Sequence, residues 1–249
     1  MASFGNYAYL AARRLNTSPC GVGGFYTVDI SDPAHWSEVS FPAFPEGSYP
    51  GEGMQVITLN TPSFNGDVLL TNNENCSLPE SVGGMSLYDV TDPTDISALA
   101  IGKGDTNGGA LSRERTIHSV SGWQAGKRAF AIMVDNEEVG DVDIMEITDP
   151  RNPVHIAETW LLDWPDAQAP LANGDTVFHH DLVVKKVNSN YLALLSYWDA
   201  GWVVLYVNDP AFDPPEGNAH HAEWSHNKRV SSSAPTRTSR PRGRRSRSL

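Results

Sequence analysis

Five of the eight histidines in this sequence stand in short motifs beside acidic or amide side chains. The motifs read TIHSV, FHHDL and EGNAHH, and a GEG motif lies upstream of them. Imidazole combined with carboxylate oxygen is a common ligand set for Zn, Cu, Mn and Fe ions. The candidate ligands of a divalent metal ion are His118, His179, His180, Asp181, His220 and His221, with Glu52 expected near them.

A second group of polar and aromatic residues follows three short apolar runs, GDVLL, RAFAIMV and YLALLS. The cluster that begins at Asp135 has the hard oxygens that calcium or magnesium prefers, although the EF-hand spacing is absent. A solvated turn is the alternative interpretation of this cluster, and the missing EF-hand spacing favours it. The candidate ligand-face residues are Glu52, Asn72, Asn73, Glu74, Asp135, Asn136, Glu137, Tyr197, Trp198 and Asp199.

The elements that must position these residues repeat along the chain. The phrases FYTVDISDP, MSLYDVTDP, VDIMEITDP and WVVLYVNDP end at Pro33, Pro93, Pro150 and Pro210, so successive copies lie about 60 residues apart, a period typical of repeat architectures. Each copy combines continuous apolar runs with a β-branched and aromatic strand that ends in a turn. Four strands per repeat predict the blades of a β-propeller.

The predicted fold is therefore all-β, a β-propeller of four-stranded antiparallel blades. Residues 1–229 should form about three to four blades of an incomplete ring, with the first and last blades incomplete and the innermost strand of the first absent. Because strands in a meander alternate in direction, the starts of the first strands and the loops between second and third strands must share one face. The Asp-Pro turns must lie on the opposite face.

Two roles remain open for the histidines near the propeller axis. They could hold a metal ion in a central funnel. Alternatively, they only hydrogen-bond loop backbone and channel water, as inner-strand polar residues of propellers often do. No HExxH motif or other spaced ligand motif decides between these roles.

The phrases VDISDP and YDVTDP resemble those of the LVIVD-repeat proteins, and TNNENC, VDNEE, FHHDLVVKK and LLSYWDAG extend the resemblance into the loops. It covers nearly everything up to about Asn227. The resemblance implies a propeller on the bacterial cell surface or outside the cell, and it implies a chain truncated at both ends. It implies no particular biochemistry.

Cys20 and Cys76 are the only cysteines. Each lies in a loop between the second and third strands, in adjacent predicted blades and on one face. We therefore expect a disulfide between them, which would suit an extracellular or cell-surface protein. Two free thiols kept reduced in the cytosol are the alternative.

The net charge is −12, but the sign is unevenly distributed. Eight of the 18 basic residues and none of the 30 acidic residues lie from Lys228 onward. The acidic body should repel nucleic acid and anionic lipid, and no apolar run is long enough for a transmembrane segment. Residues 230–249 lack aromatic side chains and are expected to be a disordered tail, either the product of a frameshift or a basic tail that binds anions.

These observations predict an exported binding or interaction module whose acidic, histidine-containing face takes a protein, a small molecule or a cation. The alternative is a metal-dependent oxidase or hydrolase that uses a histidine-lined funnel. The sequence does not establish a cofactor; a divalent metal ion is the candidate, and the enzyme alternative depends on it.

Overall fold

A computed structural model describes residues 1–14, 21–76, 82–104, 116–136, 141–160, 174, 177–208 and 210. These residues form 15 strands in four antiparallel meanders, which we call blades 1 to 4. Within the described residues there is no α-helix, and none of their elements is a helix that could span a membrane. The prediction of an all-β propeller of four-stranded blades is confirmed.

Blade 1 consists of β1 (Ala2–Phe4), β2 (Tyr7–Arg14), β3 (Val22–Asp29) and β4 (Ser37–Ser40), and blade 2 of β5 (Ser48–Asn60), β6 (Asn65–Asn75), β7 (Met85–Asp89) and β8 (Ser97–Lys103). Blade 3 consists of β9 (Ile117–Ala125), β10 (Arg128–Asp135), β11 (Asp141–Glu146) and β12 (Val154–Trp160). The described part of blade 4 has β13 (Asp181–Val187), β14 (Asn190–Tyr197) and β15 (Gly201–Tyr206), with a 3-10 turn at Trp198–Ala200.

The expectation that the first blade lacks its innermost strand is wrong. Strand β1 pairs with β2 from Ala2 to Phe4, so blade 1 has four strands, the first of them only three residues long. The predicted tail, residues 230–249, lies outside the described residues.

Apolar side chains fill the space between neighbouring blades. On β10, Phe130 and Ile132 join the cluster shared with blade 4, whereas Ala131 and Met133 join the cluster shared with blade 2. A strand that is buried on both faces must be apolar at consecutive positions, which explains the run RAFAIMV. A third cluster, with Phe25 at its centre, joins blades 1 and 2.

The first three Asp-Pro phrases form the turns after the third strands of blades 1 to 3. The carboxylate of Asp32 accepts a hydrogen bond from the Ala34 amide, and that of Asp92 accepts one from the Thr94 amide. Hydrogen bonds to the His35 and Thr94 side chains, followed by these amide bonds, hold the pKa of each carboxyl group below its usual value. The turns are thus a repeated structural element.

Candidate metal and ligand site

Three side chains from three blades meet where the innermost strands begin. Glu52 comes from β5 of blade 2, His118 from β9 of blade 3, and His180 from the residue before β13 of blade 4. One ligand atom of each lies within 4.8 Å of the others. Two imidazoles and a carboxylate at this spacing have the chemistry of a zinc or other transition-metal site.

Glu52 is brought to the site by a β-bulge. Pro50 pairs with Asn73 and Met54 with Thr71, so Gly51, Glu52 and Gly53 are inserted between two regular pairs of β5 and β6. The two glycines let this bulge lie directly against β9. A Cβ at Gly51 would collide with the His118 carbonyl oxygen and the Asn72 side chain, and one at Gly53 with Ser119 and the Val120 amide.

The imidazole of His118 is fixed by Glu74, at the end of β6. Nδ1 of His118 donates a hydrogen bond of 2.5 Å to Oε1 of Glu74. Both side chains are mostly buried, with 16% of His118 and 12% of Glu74 exposed. This bond raises the pKa of His118 against the opposing effect of burial. Burial acts to raise the pKa of Glu74, but hydrogen bonds from His118 and Tyr49 outweigh it and leave that pKa lowered.

With Nδ1 protonated towards Glu74, the lone pair of His118 lies on Nε2. Nε2 is buried, has no hydrogen-bond partner among the described residues, and lies 3.9 Å from Oε2 of Glu52. A carboxylate that fixes one imidazole nitrogen so that the other faces an ion is the usual second layer of a metal site. The arrangement can therefore present three ligands to one ion.

The ring of His180 lies between His118 on one side and Phe178 and Trp198 on the other. Its ring centroid is 4.8 Å from that of His118 and 5.7 Å from that of Trp198. The backbone amide of His180 donates to the Ser196 carbonyl, which ties the residue to β14. Next to it, Oδ1 of Asp181 accepts hydrogen bonds from the Ser119 hydroxyl at 2.6 Å and from the Leu182 amide at 2.7 Å.

His179, a predicted ligand, does not join the site. It is fully buried, its ring stacks on Tyr197 with centroids 4.7 Å apart, and its Nδ1 donates to the Asp141 carbonyl. Consecutive side chains of an extended segment point to opposite sides, so His180 faces the site while His179 faces the core between blades 3 and 4. Burial lowers the pKa of His179 from 6.5 to about 4 and keeps the ring neutral.

Four predicted ligand-face residues are also buried. Tyr197 belongs to the core cluster of blades 3 and 4. The amide of Asn72 donates to the carbonyls of Ile117 and His118, and that of Asn73 donates to Ser86 and Gly83. These side chains serve as structural links between strands. Asp135 is buried as well, at the end of β10.

The remaining predictions for this face are mixed in outcome. Asn136 lies at the site, with its amide 3.5 Å from Glu74, and Trp198 is exposed beside His180, with Asp199 next in sequence. Residues Glu137, His220 and His221 lie outside the described residues.

Cys76 is disulfide-bonded, and Cys20, the only other cysteine of the sequence, lies outside the described residues.

The structure also shows a cluster that the sequence did not indicate. Asp143 on β11 and His155 and Glu158 on β12 bring their ligand atoms within 4.8 Å. Oδ1 of Asp143, whose side chain is 1% exposed, lies 2.9 Å from Nε2 of His155. We interpret the contact as a hydrogen bond that serves a buried carboxylate. The sequence could indicate this contact only through the pairing of β11 with β12. A register shift after Ile144 places Met145, and not Asp143, opposite His155.

The blades and their packing define a β-propeller protein. No protein-family model and no curated protein matches the chain. Among solved structures, the chain is similar to the Bombyx mori GH32 beta-fructofuranosidase BmSUC1, at 12% identity and a TM-score of 0.47 over 82% of this chain and 44% of that one. A mutant of the same enzyme in complex with sucrose matches at 11% identity and a TM-score of 0.48, over 85% of this chain and 46% of that one. The chain thus spans less than half the length of these structures.

Proposed function

We propose that this protein is a metal-dependent binding module, in which Glu52, His118 and His180 hold one divalent transition-metal ion on the ligand face. The observation that carries the proposal is the buried Nε2 of His118, which has no hydrogen-bond partner among the described residues and faces Glu52 and His180 while Glu74 fixes Nδ1. The buried Nε2 of His179 likewise has no hydrogen-bond partner among the described residues, but His179 belongs to no cluster of potential metal ligands there, whereas Nε2 of His118 lies 3.9 Å from the Glu52 carboxylate.

The ligand set favours a borderline ion over calcium or magnesium. Two imidazole nitrogens and one carboxylate suit Zn²⁺, Co²⁺, Ni²⁺ or Cu²⁺, whereas Ca²⁺ and Mg²⁺ select oxygen ligands. Three protein ligands leave at least one coordination position open on a four-coordinate ion. A ligand of the module can therefore bind the ion directly.

Binding is favoured over metal-dependent catalysis by the state of the neighbouring carboxylates. Glu74 is engaged by His118, and Asp181 is engaged by Ser119 and Leu182. Both carboxylates accept short hydrogen bonds from protein groups, and we therefore assign them positioning roles rather than that of a general base. An oxidase or hydrolase remains the second class that the same ion could support.

An extracellular or cell-surface location and membership of the LVIVD-repeat proteins complete the proposal. The disulfide at Cys76 supports the location, because disulfides persist in oxidising compartments. The repeated Asp-Pro turns support the family relationship.

Titration of Zn²⁺ into chelator-treated protein tests the proposal, with isothermal calorimetry as the readout. We expect one ion per chain, and at least tenfold weaker binding after His118→Ala, His180→Ala or Glu52→Gln. His155→Ala is the matched control, since it removes a histidine of the other cluster and should leave the affinity unchanged. Absence of stoichiometric binding, or equal affinity in all four variants, would refute the site.

A further inference from the structure

A partly exposed aromatic surface, with Trp198 as its most exposed member, continues directly from the metal ligands. It consists of His180, Phe178 and Trp198, which we call the aromatic wall. We propose that the wall and the proposed metal ion together bind a small aromatic ligand whose ring carries a metal-binding oxygen group. The inference rests on the proposed function, because the ion supplies half of the recognition.

The three rings form one connected surface. Ring centroids lie 4.9 Å apart for Phe178 and Trp198, 5.7 Å for His180 and Trp198, and 6.2 Å for Phe178 and His180. Aromatic pairs at about 4.5–7 Å attract each other and hold their relative orientation. A ligand atom bound to an ion at His180 would therefore lie close enough to Trp198 for an attached aromatic ring to contact it.

The Trp198 side chain is exposed to solvent, and its backbone has a conformation that tryptophan rarely adopts. It is 55% exposed, whereas Tyr197 immediately before it is fully buried. Trp198 also has a φ of 29°, in the left-handed region that bulky residues avoid. The Gly201 amide donates to the Trp198 carbonyl, which closes the turn behind the ring. Strained backbone that presents a large apolar ring to solvent is characteristic of ligand-binding sites.

The net charge of the ion and its protein ligands determines which chemical group of the small molecule binds the ion. Two neutral imidazoles and one carboxylate leave a divalent ion with net positive charge, so the open position favours an anionic oxygen. An oxygen donor attached directly to a flat ring satisfies the ion and the wall together, since the ring can stack on Trp198.

Benzohydroxamate and acetohydroxamate provide the test, because they bind a metal through the same group and differ in the ring. Their affinities for Zn²⁺-loaded protein should be measured by calorimetry. We expect benzohydroxamate to bind about tenfold more tightly, as one stacked aromatic contact provides. Trp198→Ala should bring the ratio of the two affinities to about one, whatever its effect on the affinity for acetohydroxamate itself. Trp202→Ala, at a second exposed tryptophan, should retain the preference for benzohydroxamate.

Trp198→Leu keeps an apolar side chain without the aromatic face, and it replaces the alanine variant if that variant fails to bind acetohydroxamate. Equal affinity of the two hydroxamates for the loaded wild-type protein overturns the aromatic wall but leaves the metal site in place. Retention of the ring preference in both Trp198 variants also overturns it. Failure of Zn²⁺ to bind at all overturns the proposed function, and benzohydroxamate binding without the ion would reassign the wall to a metal-independent site.

Discussion

Glu74 and His118 lie on neighbouring blades and share a hydrogen bond of 2.5 Å between Oε1 and Nδ1. The bond fixes both the tautomer and the ring orientation of the proposed metal ligand. Loss of such a second-layer carboxylate typically costs about ten- to a hundredfold in metal affinity. We expect Glu74→Gln to weaken Zn²⁺ binding by that factor, measured by competition with a chromophoric chelator.

Asn136→Ala serves as the control for this change, since its amide contacts the same oxygen only at 3.5 Å. It should alter Zn²⁺ affinity by less than about threefold. Wild-type affinity in Glu74→Gln would show that Glu74 does not orient His118.

The glycines around Glu52 give a second prediction. A Cβ at Gly53 would collide with Ser119 and with the Val120 amide, so β5 would have to move away from β9. Overpacking of this kind costs about 1–3 kcal/mol. Gly53→Ala should therefore lower the free energy of unfolding by that amount, measured in urea, and should abolish Zn²⁺ binding.

Gly126→Ala separates the two effects. Gly126 has a φ of 64°, and a Cβ added there would meet no other atom within 4 Å, so alanine should cost about 1 kcal/mol through backbone strain alone. Its Zn²⁺ affinity should equal that of the wild type. Full Zn²⁺ binding by Gly53→Ala would contradict the role that we assign to the bulge.

The buried ring of His179 makes stability sensitive to acid. Its pKa is about 4 in the folded protein against 6.5 ordinarily. Above pH 6.5 both states are neutral, whereas between pH 6.5 and about 4 only the unfolded chain gains the proton. The contribution of His179 should therefore lower the free energy of unfolding as the pH drops through this window, by on the order of 3 kcal/mol, against the opposite effect of the raised pKa of His118.

Urea unfolding of metal-free protein at about pH 7.5 and about pH 5, on either side of the ordinary histidine pKa, measures this effect. His179→Asn retains a donor for the Asp141 carbonyl but cannot titrate, so it should lose less stability than the wild type on acidification. Identical pH dependence in both proteins would show that His179 is not the group responsible.

The disulfide provides a prediction about covalent structure. We expect Cys76 to be bonded to Cys20, so that the denatured, unreduced protein has no titratable thiol. Reduction, or replacement of both cysteines by serine, should lower the free energy of unfolding by about 2–4 kcal/mol. Two thiols per chain before reduction would disprove the bond.

Much of the fold could be predicted because its signals are local and repeated. The phrase VDIMEITDP places β11, and RAFAIMV places β10 with both faces buried. Strand alternation within the meander then puts His118, Asn136 and Trp198 on one face. No side-chain contact is needed for that inference.

The orientation of individual side chains could not be predicted in the same way. Whether His179 or His180 faces the site depends on a register that one residue would invert. Glu52 reaches His118 only through the bulge between Pro50 and Met54. The pair of Asp143 and His155 depends on a register shift between β11 and β12. Each of these features arises from pairing between strands rather than from sequence within one.

Glu52, His118 and His180 belong to three successive blades, which otherwise pack through apolar contacts and hydrogen bonds between neighbours. An ion bound to all three would cross-link the blades. Blade 4 would then unfold locally together with blade 2 instead of independently. In assemblies of repeating units, such a link increases unfolding cooperativity. Amide hydrogen exchange in β13–β15 should therefore slow when Zn²⁺ is added, even though β14 and β15 contribute no ligand atom to the three-residue cluster.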